Sequence, residues 1–265
     1  MTLALGRFES EALAFAQGRP GGRVGAGEIA RALAWTPEQE RKVLSRLARK
    51  GLIVRVRRGL YLAPPTLPLG GRWSPGEFLA LATLISDRDG TYQISGPNAF
   101  HRFGWTEQVP NRTYVYNNRI SGEREVGPSS ISLIKVADSR LGGTEVVRTP
   151  DGIDVIYATR ARALVDAVYD YTRFGSLPQA FTWIRGEVKK DDAFAADLVD
   201  AALAYGNQGT IRRIGADLER AGVHEGLLRR LERRLSPTTS LIPLVPTRPK
   251  QGTGSRRWGI VLNDD

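Results

Sequence analysis

Residues 36 to 63 read TPEQERKVLSRLARKGLIVRVRRGLYLA, and this stretch decides the fold of the first part of the chain. Thr36 is placed to cap a helix. Pro37 suits the first helical position, where its missing N–H costs nothing, and Gln39 completes a capping box three residues after the cap. Gly51 ends the helix where a left-handed residue is favoured. On a 3.6-residue wheel Val43, Leu44, Leu47 and Ala48 share one side, while Glu38, Lys42, Ser45, Arg46 and Arg49 lie roughly opposite. The apolar side requires a core, which leaves the basic side to solvent. Two short apolar strands follow, joined by Val56-Arg57-Arg58-Gly59. A helix with one basic face running into a basic hairpin is the outline of a winged helix-turn-helix, and it makes DNA the first partner to consider.

Working outward, AGEIARAL places Ile29, Ala30 and Leu33 on a shorter helix that turns at Ala34-Trp35. Phe8, Leu13, Phe15 and Ala16 predict a helix before it. Three helices and a two-stranded wing make a module over 1–63. The stretch 64–72 that follows is rich in Pro and Gly (APPTLPLGG from Ala63 to Gly71) and reads as a linker, because its prolines exclude both helix and central strand. A second unit is expected over 73–265. It opens on a helix with Ser74 as cap and Glu77 three residues later. TYVYNN, SISLIKV, TEVVRT and DVIYA are β-branched and aromatic runs separated by turn residues, which predicts an antiparallel strand region. GPNAFHRFGW reads as a short helix opened at Gly96-Pro97. From Thr159 the pattern is helical, with further helices near 177–186, 192–204, 209–221 and 224–235, and SLIPLVP and RRWGIVL return to strand-like segments. The expected class is α+β: an N-terminal winged helix-turn-helix followed by a larger mixed α/β domain.

Charge sharpens the partner. The chain has 265 residues, a net charge of +10 and 41% hydrophobic residues, enough for a real core and favouring an anionic partner. Residues 1–60 hold 12 Lys/Arg against 5 Asp/Glu, and residues 205–265 hold 11 against 6, whereas residues 61–204 hold 15 against 17. The positive charge therefore sits at the two ends. There is no Cys, so disulfides, thiol nucleophiles and Cys-ligated metals are excluded, and the two His, His101 and His224, lie far apart. No run approaches ~18 apolar residues, and the N-terminus does not read as a signal peptide, so a cytoplasmic location is expected.

Catalytic signals are thin. No nucleophile elbow, P-loop or dinucleotide fingerprint is present. Asp151 and Asp154 flank a turn that reads as an ordinary hairpin signal. His101 reads as a packed side chain, Glu187 to Asp192 as a solvated loop, and Asp166 as a buried acid paired with Arg160 or Arg162. No catalytic residue, metal site or cofactor is expected. A second basic region is more informative. Arg212 and Arg213 lie on one helix, and Arg229, Arg230, Arg233 and Arg234 on the next, where i,i+4 spacing makes two rows of guanidinium groups above Leu227, Leu228, Leu231 and Leu235. Either a plain solvated surface or a second anionic contact fits that pattern.

The order of these features resembles the AbiEi-like antitoxins of type IV toxin–antitoxin systems, winged-helix transcriptional regulators. The carrying segments are EIARAL, LARKGLIVRVRRGLYLAPP, YQISGPNAFHRFGW, TRARALVDAVYD, QGTIRRIGADLERAG and RRWGIVLN. The resemblance implies a non-enzymatic repressor that binds repeats in double-stranded DNA upstream of its operon, and whose C-terminal domain counteracts a nucleotidyltransferase-like toxin. It implies that Gln39, Lys42, Ser45, Arg46 and Arg49 face the major groove while Arg55, Arg57 and Arg58 contact phosphate. Arg212, Arg213, Arg229, Arg230, Arg233 and Arg234 are candidates for the antitoxin face on charge alone. A monomer in solution is expected. Two other readings stand beside it: a ligand-responsive repressor without a toxin, and a DNA-targeted metal-dependent nuclease or nucleotidyltransferase built on Asp151, Asp154 and Asp166.

Overall fold

Residues 7 to 62 build the expected helices and hairpin, plus a strand that the pattern does not announce. Helix α1 (Arg7–Gln17) buries Ala12, Leu13 and Ala16, and β1 (Arg23–Gly25) leads into α2 (Glu28–Leu33). Helix α3 (Pro37–Arg49) begins on the expected capping box: the Gln39 amide donates to Thr36 Oγ1 at 3.2 Å and the Thr36 amide to Gln39 Oε1 at 2.8 Å. Strands β2 (Val54–Arg57) and β3 (Leu60–Leu62) form the hairpin, turned at Gly59 with φ +78°, and β1 pairs antiparallel with β3 to make a three-stranded sheet in the order β1-β3-β2. Leu13, Val24, Ile29, Val43, Leu44, Leu47, Leu52 and Ile53 form its core. This is a computed structural model, and it describes residues 5–68, 71–150 and 152–264.

The chain continues through α4 (Glu77–Ser86), β4 (Tyr92–Ile94), α5 (Pro97–Arg102), β5 (Thr113–Asn117), β6 (Gly122–Val126), β7 (Ser129–Lys135), β8 (Thr144–Arg148) and β9 (Asp154–Ala158). Helices α6 (Arg160–Tyr169), α7 (Tyr171–Phe174), α8 (Gln179–Lys190), α9 (Phe194–Tyr205), α10 (Gln208–Arg220) and α11 (Glu225–Glu232) follow, and then the short strands β10 (Ile242–Pro243), β11 (Thr253–Ser255) and β12 (Ile260–Leu262).

Two compact units result, and they do not divide at 64–72. The first comprises Met1–Tyr92, Asn111–Lys135 and Arg148–Val155, and the second Gln93–Pro110, Val136–Val147 and Ile156–Asp265. The proline-rich stretch is thus internal to the first unit, where α4 packs on wing strand β2 and on β7. Within that stretch Leu69 and Gly70 lie outside the described residues. Ser74 does not cap α4. Its hydroxyl turns to the Pro75 carbonyl, the cap position falls on Gly76, and Glu77 accepts from Thr113 Oγ1 at 2.6 Å.

The strand region is not antiparallel throughout. β5 runs parallel to β7, β4 pairs parallel with β9 at Ile94 and Tyr157, and the antiparallel partner of β7 is β6. In the second unit α6 and α8 to α11 pack around Leu164, Phe181, Ile184, Leu198, Ile214, Leu218, Leu231 and Trp258. Helix α10 is enclosed on every side: all residues from Thr210 to Leu218 are buried, and Gly215 admits the Trp258 ring so closely that a Cβ there would stand 2.2 Å from it.

Candidate nucleic-acid interface

The α2–α3 pair is held by a carboxylate. Gly27 caps α2 without a side chain, so the amides of the first turn need an acceptor from elsewhere. Glu40, on α3 and 4% exposed, supplies it: Gly27 N–H donates to Oε2 at 2.7 Å, and Ile29 and Ala30 N–H donate to Oε1 at 3.0 and 3.3 Å. The negative charge also sits at the positive end of α2. The connecting turn takes Ala34 to φ +56°, and the Trp35 amide closes on Ala30 O at 2.9 Å. At the far end of α3, Lys50 pairs with buried Glu9 of α1 at 2.6 Å, a bond that holds the Glu9 carboxyl below its usual range.

With α3 fixed at both ends, its outward face is set by periodicity. Gln39, Lys42, Ser45, Arg46 and Arg49 are all exposed, and Val43, Leu44 and Leu47 are buried. Gln39 lends its Oε1 to the capping box, which leaves its amide NH2 as the donor for any groove contact. Lys42 pairs with Glu38 at 2.8 Å across two well-exposed side chains, an i,i+4 contact of about 0.3–0.5 kcal/mol that a phosphate or base edge can displace.

The wing divides its arginines between two tasks. Arg55 and Arg58 are exposed. Arg57 is not presented to a duplex in the same way: its Nε donates to Asp87 Oδ2 at 2.6 Å and its Nη1 to Arg58 O at 2.6 Å. Asp87 follows α4, its side chain is 7% exposed, and it takes Arg23 as well at 3.1 Å. The bulge between Arg55 and Arg57 brings this about, since it breaks the simple alternation of the strand. Arg57 therefore staples the wing to the segment after α4 instead of standing free for the phosphate contact expected of it.

The second basic region separates into two kinds of residue. Arg212 and Arg213 lie in the interior of the second unit, 8% and 9% exposed. Arg212 donates from Nε to Trp258 O at 2.7 Å and from Nη2 to Ser240 O at 2.5 Å and to Gly259 O. Arg213 Nε reaches Pro243 O and Leu244 O at 3.3 and 3.2 Å. Burial lowers the proton affinity of both guanidiniums. They tie α10 to the C-terminal strands, so they are structural rather than surface contacts. Arg229, Arg230, Arg233 and Arg234 remain exposed on and after α11, with Arg229 paired to Glu225 at 3.1 Å and Arg230 to Asp200.

Each acidic candidate among the described residues has a basic partner of its own. Asp166 is fully buried and, as expected, meets Arg162 at 3.0 Å. Arg140 at 3.2 Å and Ser95 at 2.7 Å complete its shell, while Arg160 goes to Glu187 instead. Burial raises the Asp166 proton affinity against the pull of Arg162 and Arg140. Asp154 is exposed and 3.5 Å from Arg148, and Asp151 lies outside the described residues. Among the described residues no cluster of three His, Cys, Asp or Glu could hold a metal ion. His101 is exposed rather than packed, because α5 turns its buried side to Ala99 and Phe100. Glu187 is not part of a solvated loop: it is buried at the end of α8 and accepts from Trp105, Arg160 and Lys190. No helix among the described residues is long and apolar enough to cross a membrane.

Comparison with known proteins bears on the N-terminal residues and on the fold. Residues 12–64, which run from within α1 to just past β3, match the family described as transcriptional regulator, AbiEi antitoxin, which supports the resemblance read from the sequence over this N-terminal part. Among solved structures, the RV2827C protein from Mycobacterium tuberculosis is similar in fold, with a TM-score of 0.60 and 13% identity, covering 97% of this chain and 92% of that one. No curated protein matches.

Proposed function

We propose that this protein is a DNA-binding antitoxin that represses its own operon and counteracts a nucleotidyltransferase-like toxin through its C-terminal part. The observation that carries the DNA-binding half is the face of α3. Lys42, Ser45, Arg46 and Arg49 stand exposed on a helix whose other side is buried, and Arg55 and Arg58 stand exposed on the adjoining hairpin. A helix of this kind enters the major groove, and a bidentate Arg contact to guanine contributes roughly 1–3 kcal/mol of discrimination. Arg55 and Arg58 bind phosphate beside it. The match of residues 12–64 to antitoxin regulators supports the same reading and favours a regulator over an enzyme.

The antitoxin half rests on the resemblance and on charge. With Arg212 and Arg213 committed to the interior, the exposed candidates are Arg229, Arg230, Arg233 and Arg234. The protein acts in the cytoplasm as a monomer that occupies paired repeats, without cofactor or metal. The test is a titration of the upstream operon DNA. Wild type binds it, and Lys42→Ala with Arg46→Ala weakens binding at least tenfold, about 1.4 kcal/mol. Equal affinity of the two proteins sinks the groove assignment.

A further inference from the structure

A pocket beside the wing concentrates more positive charge than the wing itself supplies. Arg57 and Arg58 of the wing, Arg88 just after α4, and Arg124 of β6 line a cavity of about 270 Å³ with Leu84 and Ile120 as its apolar walls. All six residues belong to the first compact unit. The carboxylates around it are already engaged. Asp87 is shared by Arg57 at 2.6 Å, Arg23 at 3.1 Å and Arg88 at 3.8 Å. Glu123 takes Arg112 at 2.9 Å and the Ser132 hydroxyl at 2.8 Å. One carboxylate thus serves three guanidiniums, and Arg58 and Arg124 add two more. Two of the four forks are held by main chain: Arg57 Nη1 on Arg58 O at 2.6 Å and Arg124 Nη1 on Glu123 O at 2.7 Å. Arg57 also spends Nε and Nη2 on Asp87 and so contributes charge, whereas the remaining N–H groups of Arg124 are left to meet a ligand.

A concave excess of guanidinium over carboxylate is neutralised best by an oxyanion that accepts several forked N–H donors at once, which is phosphate chemistry. Leu84, which is buried, and half-buried Ile120 keep one side of the cavity dry, and low polarity strengthens each charged contact. We propose that this pocket binds a phosphoryl group, and that Arg88 and Arg124 are binding residues although they lie outside the helix-turn-helix. Two sources share that chemistry: a backbone phosphate of the duplex seated on the wing, and a free phosphorylated small molecule. The first rests on the DNA-binding reading and the second does not.

The experiment uses the full chain in three forms: wild type, Arg88→Gln with Arg124→Gln, and Arg7→Gln as a surface control. Each is titrated calorimetrically with inorganic pyrophosphate at low salt, and with operon DNA over a salt series. If the source is a free ligand, wild type and the control bind pyrophosphate with one site, and the double variant binds about tenfold more weakly or not at all. If the source is DNA, pyrophosphate binds none of them, but the double variant loses DNA affinity and its salt slope falls by roughly 0.9 for the phosphate released. Arg124→Lys, which keeps the charge and loses the fork, falls between wild type and Arg124→Gln and guards against a folding artefact. A double variant that matches wild type in both titrations overturns the proposal. A wild type that binds pyrophosphate but no DNA retains the pocket and refutes the DNA-binding reading alone.

Discussion

Glu40→Ala tests the geometry on which the interface depends. The Glu40 carboxylate is 4% exposed and accepts three amides at 2.7, 3.0 and 3.3 Å, and Gly27 offers α2 no cap of its own. Losing an N-cap acceptor costs about 0.5–2 kcal/mol. Each buried amide then left without a partner adds about 1–3 kcal/mol unless water reaches it. Gly27 is half-buried and can be rehydrated, whereas Ile29 and Ala30 are buried. A loss of about 3 kcal/mol follows, roughly a 150-fold change in the equilibrium that keeps α2 folded. The assay is urea unfolding combined with amide hydrogen exchange. The exchange of the Ile29 and Ala30 amides accelerates by about the same factor, while amides in α8 and α10 are unchanged. Glu40→Gln keeps one acceptor oxygen and loses less. If Glu40→Ala unfolds within about 0.5 kcal/mol of wild type and leaves Ile29 exchange unchanged, the carboxylate does not hold α2 against α3.

Other perturbations separate structure from surface in the second unit. Arg212→Ala strips its donors from the carbonyls of Ser240 and Trp258, while Gly259 O keeps the Ile242 amide, and lowers stability by about 2–4 kcal/mol in urea unfolding, whereas Arg229→Ala stays within about 0.5 kcal/mol. Gly215→Ala drives a methyl to within 2.2 Å of the Trp258 ring and costs about 1–3 kcal/mol, read as a lower Tm. Burial raises the Asp217 pKa to about 7 against the pull of Arg185 at 2.6 Å. The folded protein therefore holds a proton that the unfolded chain releases near pH 4, and this group's contribution falls as pH rises from about 4 to 7. Asp217→Asn accordingly gains stability relative to wild type across that window and shows no further relative change above it. A flat difference from pH 4 to 8 in paired melting curves contradicts the shift.

Much of the first unit is legible because its signals are local. The Thr36–Gln39 capping box, the Val43/Leu44/Leu47 stripe and the Gly59 turn each lie within a few residues of what they determine. The strand β1 is not legible, since Arg-Val-Gly has no alternation to read and exists as a strand only because β3 offers an edge. Glu40 resembles its polar neighbours Glu38 and Arg41 until α2 is seen to lack a capping side chain. The parallel pairing of β5 with β7 also escapes a pattern reading, because side-chain alternation is the same for either direction of the partner. Arg212 and Arg213 misled for a physical reason. Two adjacent arginines between Ile211 and Ile214 read as one exposed face, but α10 has no exposed face between Thr210 and Leu218, and their heads reach main-chain carbonyls of the C-terminal segments. The small pair Gly215-Ala216 in mid-helix was the available signal of that enclosure. Arg57 needed Asp87, 30 residues away, to be recognised as a staple.

Whether α3 and the wing bind DNA is decided by the salt dependence of operon binding. For a duplex held on these arginines, log K falls linearly with log salt, and Arg55→Ala and Arg58→Ala each reduce the slope by roughly 0.9 while weakening specific and nonspecific duplexes alike. Arg46→Ala instead weakens the operon sequence more than a nonspecific duplex. A binding constant indifferent to salt, or slopes identical to wild type in both wing variants, contradicts binding by α3 and the wing.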